Sequence, residues 1–219
     1  MIRISVYLAG LLALLATCHA IAGDLRVRLA DSHGQPVADA VVTLIARDGT
    51  TNPDAGQHPL TRTIDQKALA FVPYLQVFRP GDRVVFRNSD RTRHHVYSFS
   101  PVKTFEFVLA SGQSSAPLTL ESSGVIAVGC NIHDGMIAYL YVSDAPWMAR
   151  SDSSGNVDFA RLPAGTYDVR VWQPRLRPNH PDLVQSKVVV DAAGSSTVEF
   201  ALPLLPDARL RFDREHTHY

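Results

Sequence analysis

Val128-Gly129-Cys130-Asn131-Ile132-His133-Asp134-Gly135-Met136 carries a thiol, an imidazole and a thioether in the pattern C-x2-H-x2-M. Taken singly, Cys130 and Met136 read as apolar packing groups and His133 as a loop residue. Taken together they form a donor set. Soft sulfur donors beside an imidazole nitrogen suit a copper ion that changes oxidation state far better than calcium, magnesium or a carboxylate-bound metal. A trigonal site of two histidines and a cysteine with a weak axial methionine needs one more histidine. The pair His94-His95, in Asn88-Ser89-Asp90-Arg91-Thr92-Arg93-His94-His95-Val96, is the obvious supplier.

Working outward, the loop lies between two apolar strands, Gly124 to Val128 and Ile137-Ala138-Tyr139-Leu140-Tyr141-Val142. Arg83-Val84-Val85-Phe86 alternates with the period of a half-buried strand, and the histidine pair follows it in a polar loop. Phe71-Val72-Pro73-Tyr74-Leu75-Gln76-Val77 reads as one extended stretch leading to the turn Pro80-Gly81-Asp82, and Phe105 to Leu109 as a further strand. Near the N-terminus, Leu25 to Leu29 alternates and Val41 to Ile45 is β-branched. Asp48 to Pro59 is rich in turn formers and reads as loop. The C-terminal third repeats this style, with strands at Val157 to Phe159, Thr166 to Trp172, Val188 to Val190 and Thr197 to Phe200. Many short strands separated by turn signals, and no helical period, predict an all-β chain built of β-sandwiches. The three Asp-x-x-Gly segments, beginning at Asp31, Asp152 and Asp191, read as hairpin turns. No ligand-dense loop surrounds them, so calcium sites are not expected.

The chain has 219 residues, enough for one large domain or two small ones. Its 21 basic and 21 acidic side chains balance, which gives no electrostatic footprint for nucleic acid. Arg3, the apolar run Val6 to Ala16 and the small residues of Ala20-Ile21-Ala22 have the layout of an export signal, residues 1–22. No second apolar segment of membrane-spanning length follows. Leu15-Ala16-Thr17-Cys18 resembles a lipoprotein processing site, although Thr17 is awkward just before the cysteine. If the signal leaves after Ala22, Cys130 is the only thiol that remains. In an exported protein a leftover cysteine is intermolecular or chemically employed, and metal ligation would employ it. The expected location is the periplasm. Residues 206–219 read as a charged tail, and His58 and His180, beside prolines, as surface loop residues.

The segment from Thr63 to Val142 resembles the cupredoxins, and amicyanin in particular. The short C-x2-H-x2-M loop, the strands on either side of it, and Asn88 six residues before His94 carry the resemblance. It implies a cupredoxin-like Greek-key β-sandwich over 61–147 that holds copper through His94, Cys130 and His133, with Met136 axial. His95 departs from the family, which usually has Asn after the ligand histidine; spacing favours His94 as ligand, with His95 the alternative. The flanks, 23–60 plus 148–205, resemble a different family, the carboxypeptidase regulatory-like or Cna-B-like sandwich. Asp31 to Leu44 and the Leu-Pro-Ala-Gly-x-Tyr stretch, Leu162 to Tyr167, carry that likeness. The combination implies a smaller Ig-like or prealbumin-like β-sandwich split by the cupredoxin, an insertion that costs little at a loop. Chains of this kind are often labelled methylamine-utilisation proteins.

The resemblance implies a periplasmic type 1 (blue) copper protein that passes single electrons between transient redox partners. A copper carrier or storage protein would use the same ligands. A structural adhesion or scaffold β-protein would use none of them. No nucleophile–base constellation stands out, and four protein ligands leave no open coordination position, so an enzyme is not expected.

Overall fold

The computed structural model describes residues 22–52, 55, 59–177, 182–207 and 209. The expected export signal up to residue 21 with Cys18, both surface histidines His58 and His180, and nearly all of the tail after Asp207 lie outside the described residues.

The strands in chain order are β1 (Ala22–Asp31), β2 (Val41–Ala46), β3 (Thr61–Lys67), β4 (Ala70–Val72), β5 (Leu75–Phe78), β6 (Arg83–Asn88), β7 (His94–Ser100) and β8 (Lys103–Leu109). They continue with β9 (Leu118–Thr119), β10 (Gly124–Cys130), β11 (Ile137–Val142), β12 (Trp147–Arg150), β13 (Asn156–Pro163), β14 (Gly165–Trp172), β15 (Leu183–Val190) and β16 (Ser195–Leu202). The chain is all-β. Among the described residues no helix is long and apolar enough to cross a membrane.

Among the described residues four sheets enclose two separate cores. Sheets β13-β1-β16 and β12-β2-β14-β15 close over one cluster, with Leu25, Val27, Leu44, Phe159, Tyr167 and Val171 at its heart. Sheets β5-β11-β10-β7-β8 and β4-β3-β6-β9 close over the other, with Ile64, Phe78, Phe86, Val96, Ile126 and Leu140. The second cluster is made entirely of residues that lie between β2 and β12 in sequence, and β12 returns to pair with β2. The two bodies are called the flanking and the central sandwich below.

Alternation explains the layers. In β1 the side chains of Leu25, Val27 and Leu29 are buried while Asp24, Arg26 and Arg28 face water, the period-two pattern of a strand with one wet face. The Asp31 and Asp152 turns hold themselves. Asp31 Oδ1 accepts the N–H of His33 and Gln35, and Asp152 Oδ1 accepts those of Ser154 and Asn156, at 2.8–2.9 Å. Gly155 closes the second turn at φ +74°, where a Cβ would stand 2.3 Å from the Leu29 carbonyl oxygen.

Two local expectations change. The stretch from Phe71 to Val77 is not one strand: β4 pairs with β3 in one sheet and β5 with β11 in the other. Pro73 has no N–H to continue a ladder, so the chain passes between layers there. The histidine pair is not in a loop after a strand; His94 and His95 open β7, paired with Leu109 and Val108 of β8.

The sandwiches touch through aromatic and arginine contacts. Trp172 of β14 packs on Tyr139 and Tyr141 of β11, with ring centroids 5.8 and 5.3 Å away. Arg79 donates to the carbonyls of Ala145 and Pro146, and Arg150 to that of Leu75, each at 2.9 Å. The strand that follows Met136 is therefore braced on its outer face.

Candidate metal centre

β10 ends at Cys130 and β7 begins at His94, and the two run antiparallel with Cys130 opposite Val96. Inside–outside alternation then assigns the histidines. His94, Val96 and Ser98 point into the central sandwich, almost fully buried, while His95, Tyr97 and Phe99 face out. The His95 ring lies 2.6 Å from Glu106 Oε1, and its carbonyl accepts the Asn131 N–H at 3.0 Å. It is a brace for the loop, on the opposite side of the strand from Cys130.

The loop after Cys130 folds back on itself. Gly135 takes φ +84°, and the Cys130 N–H donates to the Met136 carbonyl at 3.2 Å. That closure brings His133 and Met136 back beside Cys130. Met136 is 5% exposed and packs in the same buried cluster as Cys130. A cleft of about 570 Å³, lined in part by Tyr97, Gly129, Asp134 and Met136, runs along the outer flank of this loop.

His94, Cys130 and His133 converge, all three donor atoms lying within 4.8 Å of one another. Cys130 Sγ is 3.6 Å from His94 Nδ1 and 3.7 Å from His133 Nδ1, and the two Nδ1 atoms are 3.1 Å apart. The point equidistant from the corners of that triangle lies about 2.0 Å from each, the length of a metal–imidazole bond and slightly under that of a metal–thiolate bond. Donor type and spacing both fit a trigonal metal ion.

The surroundings prepare the donors. His94 Nε2 is 2.9 Å from Asp90 Oδ2. A carboxylate accepts, so Nε2 carries the proton and Nδ1 offers its lone pair to the centre. Partial burial alone would raise the Asp90 carboxyl; the Leu69 N–H, the His94 ring and the Ala68 N–H outweigh it and hold the group below the ordinary carboxylate range. For His133, burial first and the neighbouring His94 second lower the pKa, favouring the neutral imidazole that a metal requires.

The Asn88 amide is buried and donates to the carbonyls of Thr92 and Leu109 at 2.8 and 2.9 Å, while its Oδ1 accepts the Asp90 N–H at 2.9 Å. The side chain thereby fastens loop 89–93 to β8. Asp90 escaped the sequence reading: an acid four residues before a histidine is a signal on a helix, and this segment is a loop.

No family model matches the sequence, and no curated protein does. Among solved structures, 46% of the chain is similar to 27% of the Cu-containing nitrite reductase NirK from Thermus scotoductus SA-01, at 19% identity and a TM-score of 0.37. A methionine-to-alanine mutant of amicyanin in its Cu(I) form is similar over 48% of this chain and 99% of its own, at 15% identity and a TM-score of 0.35. Amicyanin from Paracoccus versutus matches over 46% of this chain and 98% of its own, at 14% identity and a TM-score of 0.35. These neighbours are cupredoxins, at low identity and over part of the chain.

Proposed function

We propose that this protein is a type 1 copper protein that carries single electrons between larger redox partners in the periplasm. His94, Cys130 and His133 would hold the ion, and Met136, buried in the same cluster as Cys130, would be the fourth donor. The observation that carries this is the triangle of two imidazole nitrogens and one cysteine sulfur around a point about 2.0 Å from each. When bound, copper supplies a one-electron couple.

The chain's own contribution is to keep the donors still. Cys130 is held at a strand end between β7 and β11, His94 by Asp90, and His133 by a loop closed on itself. The apolar cluster around Cys130 and Met136 keeps water away from the sulfurs. Donors that do not move between oxidation states keep the reorganisation cost of electron transfer low. Four protein donors leave no position for a substrate, so the centre is a carrier and not a catalyst.

The single buried cysteine among the described residues supports the same conclusion, because a lone thiol in an oxidising compartment is stable when it ligates a metal. Partners would be redox proteins that dock briefly, through small contacts near the partly exposed His133. The flanking sandwich fits the role of a split carboxypeptidase regulatory-like domain that fixes the orientation of the copper body. Protein-film voltammetry with metal analysis before and after cycling tests the function. A reversible one-electron wave with copper retained is the expected result. Copper lost on reduction would make the protein a copper carrier instead, and no wave at all would leave a scaffold.

A further inference from the structure

The hairpin between β3 and β4 turns through two residues, Ala68 and Leu69, since Lys67 pairs directly with Ala70. Both sit in the left-handed region, at φ +54° and +57°. A two-residue hairpin of this kind needs that conformation, and its favoured occupants are Asn and Gly. Ala and Leu each bring a Cβ that the left-handed backbone crowds. Something must hold the turn, and it is Asp90. Its Oδ1 accepts the Ala68 N–H at 2.6 Å, and its Oδ2 accepts the Leu69 N–H at 3.0 Å. The same Oδ2 is the atom 2.9 Å from His94 Nε2.

We propose that the Ala68-Leu69 turn is a positioning element of the metal centre, acting through Asp90 on the tautomer and orientation of His94. The proposal rests on reading His94, Cys130 and His133 as copper ligands. A carboxylate bound only to an imidazole could swing about its side-chain torsions. Two N–H groups from a rigid backbone, one on each oxygen, fix the plane of the carboxylate and leave Oδ2 aimed at the ring. Asp90 is also fixed from behind: its N–H donates to Asn88 Oδ1 and its carbonyl accepts the Ser111 hydroxyl. Every polar atom of Asp90 is thereby engaged, and the only one that reaches the centre is the oxygen shared between Leu69 and His94. The energetically awkward turn is explained if its N–H pair serves the ligand rather than the hairpin.

The test uses the full chain in four forms: wild type, Asp90→Asn, Leu69→Pro, and the double change Ala68→Asn with Leu69→Gly. Leu69→Pro removes one N–H and forbids the left-handed conformation; the double change keeps both N–H groups with residues suited to the turn. Circular dichroism establishes that each variant is folded. In metal-free protein, 15N NMR of the histidine rings should show His94 protonated at Nε2 in the wild type and in the double variant. Asp90→Asn and Leu69→Pro should give mixed or inverted tautomers. Copper affinity should fall by about 10- to 100-fold in those two variants, the usual loss for a group that orients a metal ligand. It should be unchanged in the double variant, along with the reduction potential.

A folded Leu69→Pro protein with the wild-type tautomer and affinity would overturn the proposal. Wild-type protein that binds no copper would refute the metal assignment separately. The 15N signals of the metal-free forms would still decide whether the turn sets His94.

Discussion

Replacing Asn88 with alanine should cost far more stability than its small size implies. The residue is fully buried, and its side chain makes three hydrogen bonds: to the carbonyls of Thr92 and Leu109, and from the Asp90 N–H. Truncation strands all three backbone groups. A buried backbone group left without a partner costs about 1–3 kcal/mol, and the loop 89–93 can move to rehydrate part of the loss, so about 3–5 kcal/mol is expected. For a body of this size that corresponds to a fall in melting temperature of about 12–40 °C. Both tryptophans, Trp147 and Trp172, belong to strands of the flanking sandwich, so calorimetry should be used rather than fluorescence to follow the central one. Asn88→Asp gives an internal control. It keeps the acceptor for the Asp90 N–H but loses both donors and buries a charge, so it should be at least as damaging at neutral pH. A change under about 1 kcal/mol for Asn88→Ala would show that the amide does not fasten the loop.

Gly155→Ala places a Cβ 2.3 Å from the Leu29 carbonyl oxygen at φ +74° and should destabilise the flanking sandwich by about 2–4 kcal/mol in urea unfolding. Trp172→Ala removes the ring between the sandwiches and should cost about 2–3 kcal/mol in urea unfolding. The Asp158 and Asp168 carboxyls are held below their ordinary value by hydrogen bonds from Arg26 and Arg47. A depressed folded-state value gives stability that is present above the unfolded carboxylate range near 4 and lost as pH falls through the folded one. The urea midpoint of the flanking sandwich should therefore drop as pH falls from about 5 to 3. The drop should be shallower in Arg26→Gln with Arg47→Gln. Both pairs are exposed, so added salt should weaken the effect.

The donor loop was legible because its chemistry is local. Cys130, His133 and Met136 fall within one short turn, and no packing information is needed to see a donor set. The strands around it were legible from alternation, as in Leu25 to Leu29 and Arg83 to Phe86. What depended on three dimensions was less so. Whether His94 or His95 faces Cys130 is decided by the pairing of β7 with β8 and β10, which a sequence does not display. Asp90 acts through a turn more than twenty positions away in the chain, at Ala68 and Leu69. Pro73 divides what looks like one strand into two sheets, and the proline alone does not say which strands will take the halves. Trp172 looked like an ordinary strand residue, and its place against Tyr139 and Tyr141 follows from how two sandwiches meet.

The most direct measurement is the visible absorption of the copper-loaded wild type beside Cys130→Ser. An intense thiolate-to-copper band, bleached by a mild reductant, restored on reoxidation and absent from the variant, is the predicted result. Copper that fails to bind, or that binds with only a weak colour unchanged by the substitution, would contradict a copper centre built on Cys130.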